Sequence, residues 1–184
     1  METLYTKRLK LRALSINDLD AFYNYAKKPH IGPMAGWEPH KSIEDSLKIL
    51  QSMIKQKEVW GITLKDDDTL IGTIGLHCRD EEMAKHNIKE LGYVLNDTYW
   101  NQGLMTEAAQ RIIFYGFNHL KLDKILCGHY IYNVQSKRVI EKLGFSFYKQ
   151  FEKENHAKEK VIINMYEMTE KDFEKRSMKN DNIR

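Results

Sequence analysis

Residues 90–108 bring together the ingredients of an anion site. Glu90-Leu91-Gly92-Tyr93-Val94-Leu95 reads as a strand, Asn96 to Gln102 as a polar loop, and Gly103-Leu104-Met105-Thr106-Glu107-Ala108 as the entry to a helix. The first N–H groups of a helix have no intrahelical partner, and with the helix dipole they favour an anion. Gly103 lets the backbone approach a phosphate without a side chain in the way, or it relieves a tight strand-to-helix turn. Neither GxxxxGK[ST] nor GxGxxG occurs, which weighs against nucleoside triphosphates and dinucleotides. A second cluster, Asn133-Val134-Gln135-Ser136, ends one strand and opens another helix, where Asn133 and Ser136 also suit plain capping.

The elements that must position these residues follow from periodicity. Leu9 and Leu11 alternate with Lys10 and Arg12 as a half-buried strand. Ser15 with Asp18, and Ser42 with Asp45, are helix starts; Leu19, Phe22 and Ala26 form the first stripe, and Ile43, Leu47, Leu50 and Ile54 the second. Trp60 to Leu64 and Leu70 to Leu76 flank the turn Asp66-Asp67-Asp68 as a hairpin, and polar residues Arg79 to Asn87 bridge to the strand Ile88 to Leu95. Ala109, Ile112, Ile113, Gly116 and Phe117 mark the helix after Gly103. Lys124 to Ile131 is a strand, and Ser136 to Leu143 a helix stopped by Gly144. Phe145 to Phe151 and Val161 to Met168 close the sheet around a charged turn, and Thr169 with Asp172 starts a last helix. The order β-α-α-β-β-β-α-β-α-β-β indicates an α+β fold with a sheet of mixed direction. One domain is expected over 1–176, with a loose tail over 177–184.

Taken in order, Gly92-Tyr93-Val94-Leu95, Tyr99-Trp100-x-x-Gly103-x-x-Thr106-Glu107-Ala108, Asn133-x-x-Ser136 and Glu141-Lys142-Leu143-Gly144-Phe145 resemble the GNAT superfamily of acyl-CoA N-acyltransferases. The likeness runs from the Lys7 to Arg12 strand to Met168 and is strongest toward the branch of ribosomal-protein alanine and serine N-acetyltransferases. It implies a mixed, mostly antiparallel sheet of about seven strands flanked by helices, and acetyl-CoA as co-substrate. By the resemblance, the amides of Asn101, Gln102, Gly103, Leu104, Met105 and Thr106 cradle the coenzyme A diphosphate. The backbone of Tyr93, Val94 and Leu95 pairs with the pantetheine arm, and Asn133 contacts that arm from the opposite strand. Two positions depart from the family loop: Asn101 stands where glycine is common, and Met105 where Gly or Ala is expected. Backbone donors survive any side chain, and Asn tolerates left-handed geometry better than most residues.

The implied reaction needs a base for the ammonium, an oxyanion donor and a proton for the thiolate. A strand amide near Val94 or Leu95 suits the oxyanion. Glu90 is the candidate base through water, or an exposed strand residue beside Lys89. The tyrosine acid that many relatives carry seven residues after the Asn is Ile140 here, which leaves Ser136 as the substitute. The loop Gly36-Trp37-Glu38-Pro39-His40 is expected to overhang the acceptor, with Trp37 as wall or plug and His40 as contact, base or surface residue.

Composition bounds the rest. With 184 residues, 42% hydrophobic and 30% charged, the chain is of globular type. Its formal charge of +3 argues for no nucleic-acid partner. No run suits a membrane span or signal core, and Cys78 and Cys127 suit a reducing cytoplasm. No C-x-x-C or H-x₃-H spacing exists, so no metal is expected. All three prolines, Pro29, Pro33 and Pro39, stiffen the loop between the first two helices. The expectation, by the branch resemblance, is an N-acetyltransferase acting on a primary amine, a protein N-terminus, as a monomer or homodimer. A small-amine acetyltransferase and a non-catalytic acyl-CoA-binding module are the alternatives.

Overall fold

The computed structural model describes residues 1–155 and 158–181, with side chains to 176. Eight strands form one sheet: β1 (Leu4–Tyr5), β2 (Leu9–Ala13), β3 (Val59–Leu64), β4 (Asp67–His77), β5 (Ile88–Leu95), β6 (Lys124–Tyr130), β7 (Ser146–Glu154) and β8 (Lys160–Thr169). Their order is β1-β2-β3-β4-β5-β6-β8-β7. Every neighbouring pair is antiparallel except β5 and β6, which run parallel. The α+β class and mixed strand direction are thus as the pattern indicates and the mostly antiparallel pairing as the resemblance implies, with the two-residue β1 added at one edge.

Central strands buried on both faces need a helical layer on each side. On one face lies α5 (Leu104–Asn118), whose stripe Ala109, Ile112, Ile113, Gly116 and Phe117 is wholly buried. It packs on Leu9, Leu11, Ile62, Ile74, Leu76, Leu91 and Leu95. On the other face lie α1 (Leu19–Ala26) and α3 (Ile43–Gln56), around Phe22, Tyr25, Leu50, Val59 and Leu70. The expected caps are present: Ser42 accepts from the Asp45 N–H at 3.1 Å, and the Asp18 carboxylate accepts from the Ser15 N–H at 2.7 Å. Asp18 is itself held by the Arg12 fork, with Nη2 donating at 2.7 Å and Nη1 at 2.9 Å.

Three short elements were not legible from periodicity. The proline loop contains a helical turn, α2 (Gly32–Ala35), started by Pro33, whose fixed φ suits a first helical turn, and ended by Gly36 at φ 88°. The polar bridge contains α4 (Glu81–Lys85), capped by the Asp80 carboxylate, which accepts from the Met83 N–H at 2.7 Å. α4 buries no residue, so it shows no apolar stripe to read. β1 is too short for alternation. The remaining helices are α6 (Val134–Leu143) and α7 (Glu170–Asp181). The expected boundary at 176/177 falls inside α7, whose backbone is helical to Asp181; residues 182–184 lie outside the described ones. So do residues 156 and 157 of the charged turn between β7 and β8.

Candidate active site

Strands β5 and β6 pair only over Ile88–Glu90 with Lys124–Leu126. Beyond that, β5 follows β4 to Leu95 and β6 follows β8 to Tyr130, so the sheet splits and a cleft of about 950 Å³ opens between them. The Asn96 N–H donates to the Ile71 C=O on β4 at 2.9 Å. Because peptide groups alternate direction along a strand, Val94 points its N–H and C=O toward β4, whereas Tyr93 and Leu95 point theirs into the gap. The expected backbone pairing with pantetheine therefore rests on Tyr93 and Leu95. Val94 offers the cleft its side chain, its own peptide groups already serving the β4 ladder.

The gap leads to the N-terminus of α5 through a loop with little freedom. The Trp100 Nε1–H donates to the Leu95 C=O at 2.8 Å, so the indole holds the loop against the strand end. Asn101 has φ 59° and Gly103 φ 74°, the left-handed region, which asparagine and glycine adopt more readily than other residues. A Cβ at Gly103 would meet only Arg8 Nη2 at 3.7 Å, so backbone angle and not crowding requires glycine there. The first intrahelical bond runs from the Glu107 N–H to the Gly103 C=O at 3.1 Å. Leu104, Met105 and Thr106 therefore keep N–H groups without a helical partner. The Leu104 and Met105 side chains are buried in the core, so Met105 does not crowd this end.

Sequence reasoning passed over the clamp that fixes the loop. The Arg8 Nη1–H donates to the Gln102 C=O at 3.0 Å and its Nε–H to Glu107 Oε2 at 2.7 Å. Glu107 Oε1 also accepts from the Thr6 hydroxyl at 2.6 Å and the Arg8 N–H at 2.8 Å. Burial alone would raise the Glu107 carboxyl, but the hydrogen bonds from Thr6 and Arg8 outweigh it and hold the group below its ordinary range. Arg8 thus compensates the one carboxylate in the first turn of α5, leaving that end receptive to an anion. On the loop's other side, Asp97 pairs with Lys28 and with His30 at 2.8 Å, joining it to the chain after α1. The Lys28 hydrogen bond is the main reason the Asp97 carboxyl is depressed.

Across the gap, Asn133 is buried, with both ends of its amide hydrogen-bonded. Its Oδ1 accepts from the Ser136 N–H at 2.9 Å, and its Nδ2–H donates to the Met34 C=O in α2 at 2.9 Å. Ser136 Oγ lies 2.9 Å from the Tyr93 hydroxyl, so two hydroxyls from opposite walls meet in the cleft. Burial pushes the Tyr93 phenol well above its ordinary range, and Cys127 nearby adds to this. Tyr93 therefore brings a side chain as well as a backbone to the site; the hint was a phenol between Leu91 and Leu95 on an otherwise apolar strand face. Ile140 is wholly buried, part of the core under α6.

Glu90 stands at the start of the split, with Oε1 3.1 Å from Arg79 Nη2. His77 lines the same end; burial and then Arg79 hold its imidazole below the ordinary range. Trp37 borders the cleft and packs on Gly32, where any Cβ would lie 2.6 Å from its ring. His40 is neither a surface residue nor a member of the main cleft: it is 8% exposed, behind Trp37, with Nδ1 2.7 Å from Ser46 Oγ. Proline-stiffened chain and an α3 that buries Ser46 turn it inward. The described residues hold no group of three or more His, Cys, Asp and Glu suited to a metal, and no helix long and apolar enough to cross a membrane.

The split sheet and its loop have counterparts in known proteins. Residues 8–146 match the family model described as an acetyltransferase (GNAT) domain. The chain is 31% identical over 150 residues to the uncharacterized N-acetyltransferase p20 of Bacillus licheniformis, covering 79% of this chain and 83% of that one. It is 32% identical over 79 residues to YdaF of Bacillus subtilis (strain 168), provisionally named a ribosomal N-acetyltransferase, covering 43% of this chain and 42% of that one. A GNAT-family acetyltransferase structure from Bacillus anthracis superposes with a TM-score of 0.83 at 26% identity, over 92% of this chain and 99% of that one.

Proposed function

The chain belongs to the GNAT family of acetyltransferases, and from that premise we propose that it moves the acetyl group of acetyl-CoA to a protein N-terminal α-amine. The observation that carries this reading is the split between β5 and β6, which leaves strand backbone facing a gap that ends on a helix N-terminus. Such a gap fits coenzyme A: amides to pair with the pantetheine arm and a polarised end for the diphosphate.

In this reading the amides of residues 101–106 take the diphosphate, the Tyr93 peptide groups pair with the arm, and the Leu95 N–H, whose own C=O is held by Trp100, polarises the thioester oxygen. Asn133 holds Ser136 in place by capping α6 and ties both to α2. Ser136 donates a hydrogen bond to the departing sulfur, which leaves as the thiolate and takes its proton from water; Tyr93 directs that hydroxyl into the cleft. A thiolate with a pKa near ~8.5 needs only modest help to leave. Glu90 takes the ammonium proton through water. An α-amine, with a reference pKa of about 7.7–8.0, is partly neutral near pH 7.5, whereas a lysine at about 10.4 is not. One polarised carboxylate, already paired to Arg79, is thus enough for the first and poor for the second. The name of YdaF supports a protein acceptor; a small amine is the second reading. We place the enzyme in the cytoplasm, as one domain that includes α7.

Thiol release from acetyl-CoA with a library of N-terminal peptides, beside free amino acids, polyamines and aminoglycosides, tests the reading. Turnover confined to peptides supports it, and turnover confined to small amines replaces it with the second.

A further inference from the structure

Behind Trp37 the structure holds a second space that the acyl-transfer chemistry above does not use. It is a recess of about 180 Å³ where α1 and α3 lie on β4 and β5, lined by Phe22, Tyr25, His40 and Ile49, and by four residues it shares with the main cleft: Trp37, Met53, Thr73 and Val94. The shared residues make it a side chamber of the cleft, branching off at the strand whose peptide groups face the gap. Its size matters, because an apolar cavity of about 150 Å³ stays dry and binds a benzene-sized guest.

One polar atom in the recess has no partner. Tyr25 is wholly buried, and its hydroxyl makes no hydrogen bond of good geometry, its candidate partner being the Thr73 hydroxyl on the same recess wall. A buried hydroxyl left unpaired costs about 1–3 kcal/mol, and unfilled apolar space adds to that cost. Two such costs in one chamber, open to the cleft, are relieved together by one guest with an apolar stem and a hydrogen-bond-accepting tip. The charge of the guest is constrained as well. Burial pushes the Tyr25 phenol up, so it remains a neutral donor, and burial pushes the His40 imidazole down, so no cation faces the recess near neutral pH. The charged groups that act on these two side chains are carboxylates: Asp18, already paired with Arg12, acts on Tyr25, and Asp45 on His40. An anionic guest is therefore disfavoured, and a cationic one finds no ion pair in a dry pocket.

We infer that this recess receives the side chain next to the acceptor amine, and that it selects a neutral chain of methionine to tyrosine size with an oxygen or sulfur atom near its tip. The inference rests on the acyl-transfer reading, since the guest is carried by the amine that is acetylated. Trp37 then forms the lip between the amine position and the recess, and Tyr25 reads the tip.

The test is kcat/KM for acetyl-CoA-dependent acetylation of a peptide series X-Ala-Gly-amide, with X as Gly, Leu, Met, Phe, Tyr, Glu or Lys. It is run with the wild-type enzyme, with Ile49→Trp, which enlarges a side chain lining the recess, and with Tyr25→Phe. Met and Tyr peptides are expected at least about tenfold above Gly and Glu peptides, which corresponds to ~1.4 kcal/mol. Ile49→Trp should bring the Met/Gly ratio toward one, and Tyr25→Phe should lower the Tyr/Phe ratio while leaving Leu against Gly in place. Turnover of the series with no preference among X, or a preference that both variants retain, overturns the inference. If no amine of any kind is acetylated, the acyl-transfer reading fails separately, and phenol and benzene serve as direct probes. Stabilisation of the wild type by phenol more than by benzene, lost in Ile49→Trp, keeps the recess as a binding site; no shift with either rejects it.

Discussion

The two walls of the cleft are made of different material. The wall that runs from Leu95 through Gly103 into α5 presents backbone: outward peptide groups, two left-handed residues and free N–H groups, fixed by Trp100, Arg8 and Glu107. The wall under Trp37 presents side chains, with α1, the loop after α2, and α3 supplying Tyr25, Trp37 and Met53 around space that stays open. A backbone wall holds an invariant ligand, because amides do not depend on residue type. A side-chain wall is free to vary, and suits the partner that distinguishes one enzyme from another.

That contrast can be broken at several points. The largest effect is expected at Gly103: valine there must adopt a left-handed angle, which costs about 1–2 kcal/mol, and coenzyme A affinity should fall by about 30-fold by calorimetry. Asn101→Gly, which keeps that angle accessible, should bind within about twofold of wild type. Next comes the hydroxyl pair. Ser136→Ala should lower kcat by about tenfold, ~1.4 kcal/mol of barrier, with the KM for acetyl-CoA little changed. Tyr93→Phe should lower kcat less, and add nothing when combined with Ser136→Ala. Full activity of Ser136→Ala would reduce Ser136 to the backbone N–H that completes the Asn133 cap.

A smaller effect is expected from Glu107→Gln, about fivefold on coenzyme A affinity, or ~1 kcal/mol. The same variant carries a pH signature. The folded Glu107 carboxyl lies below its unfolded value, so its stabilisation is present above the unfolded pKa of about 4.3 and is lost as pH falls through the folded value. Thermal melts should therefore show a shallower acid loss for the variant than for wild type below about pH 4.3. The smallest effect is expected from Trp37→Ala, about threefold on acceptor KM with coenzyme A affinity unchanged. Loss of coenzyme A affinity instead would mean that the walls are not separable.

How much could be read from the sequence divides along the same line. Gly103, Asn101 and the Asn133-x-x-Ser136 cap stand where backbone geometry restricts residue type, so they left a readable trace, as did the stripe of α5. Arg8 pairing with Glu107 joins residues 99 apart in sequence and left none. Tyr93 was readable as a strand residue, but its hydroxyl partner on α6 depends on how the sheet splits. His40 and Tyr25 line a recess that exists only after two helices have packed on the sheet, and no local pattern reports such a space. α2 and α4 were missed because five residues or fewer present too little periodicity to detect.

The central claim, acetyl transfer to an α-amine by this cleft, is tested most directly on one peptide carrying both a free N-terminus and an internal lysine. After incubation with the enzyme and acetyl-CoA near pH 7.5, tandem mass spectrometry locates the added acetyl group. The account predicts acetylation of the α-amine with the lysine unmodified. Acetylation of the lysine Nζ alone, or of neither amine, would contradict it.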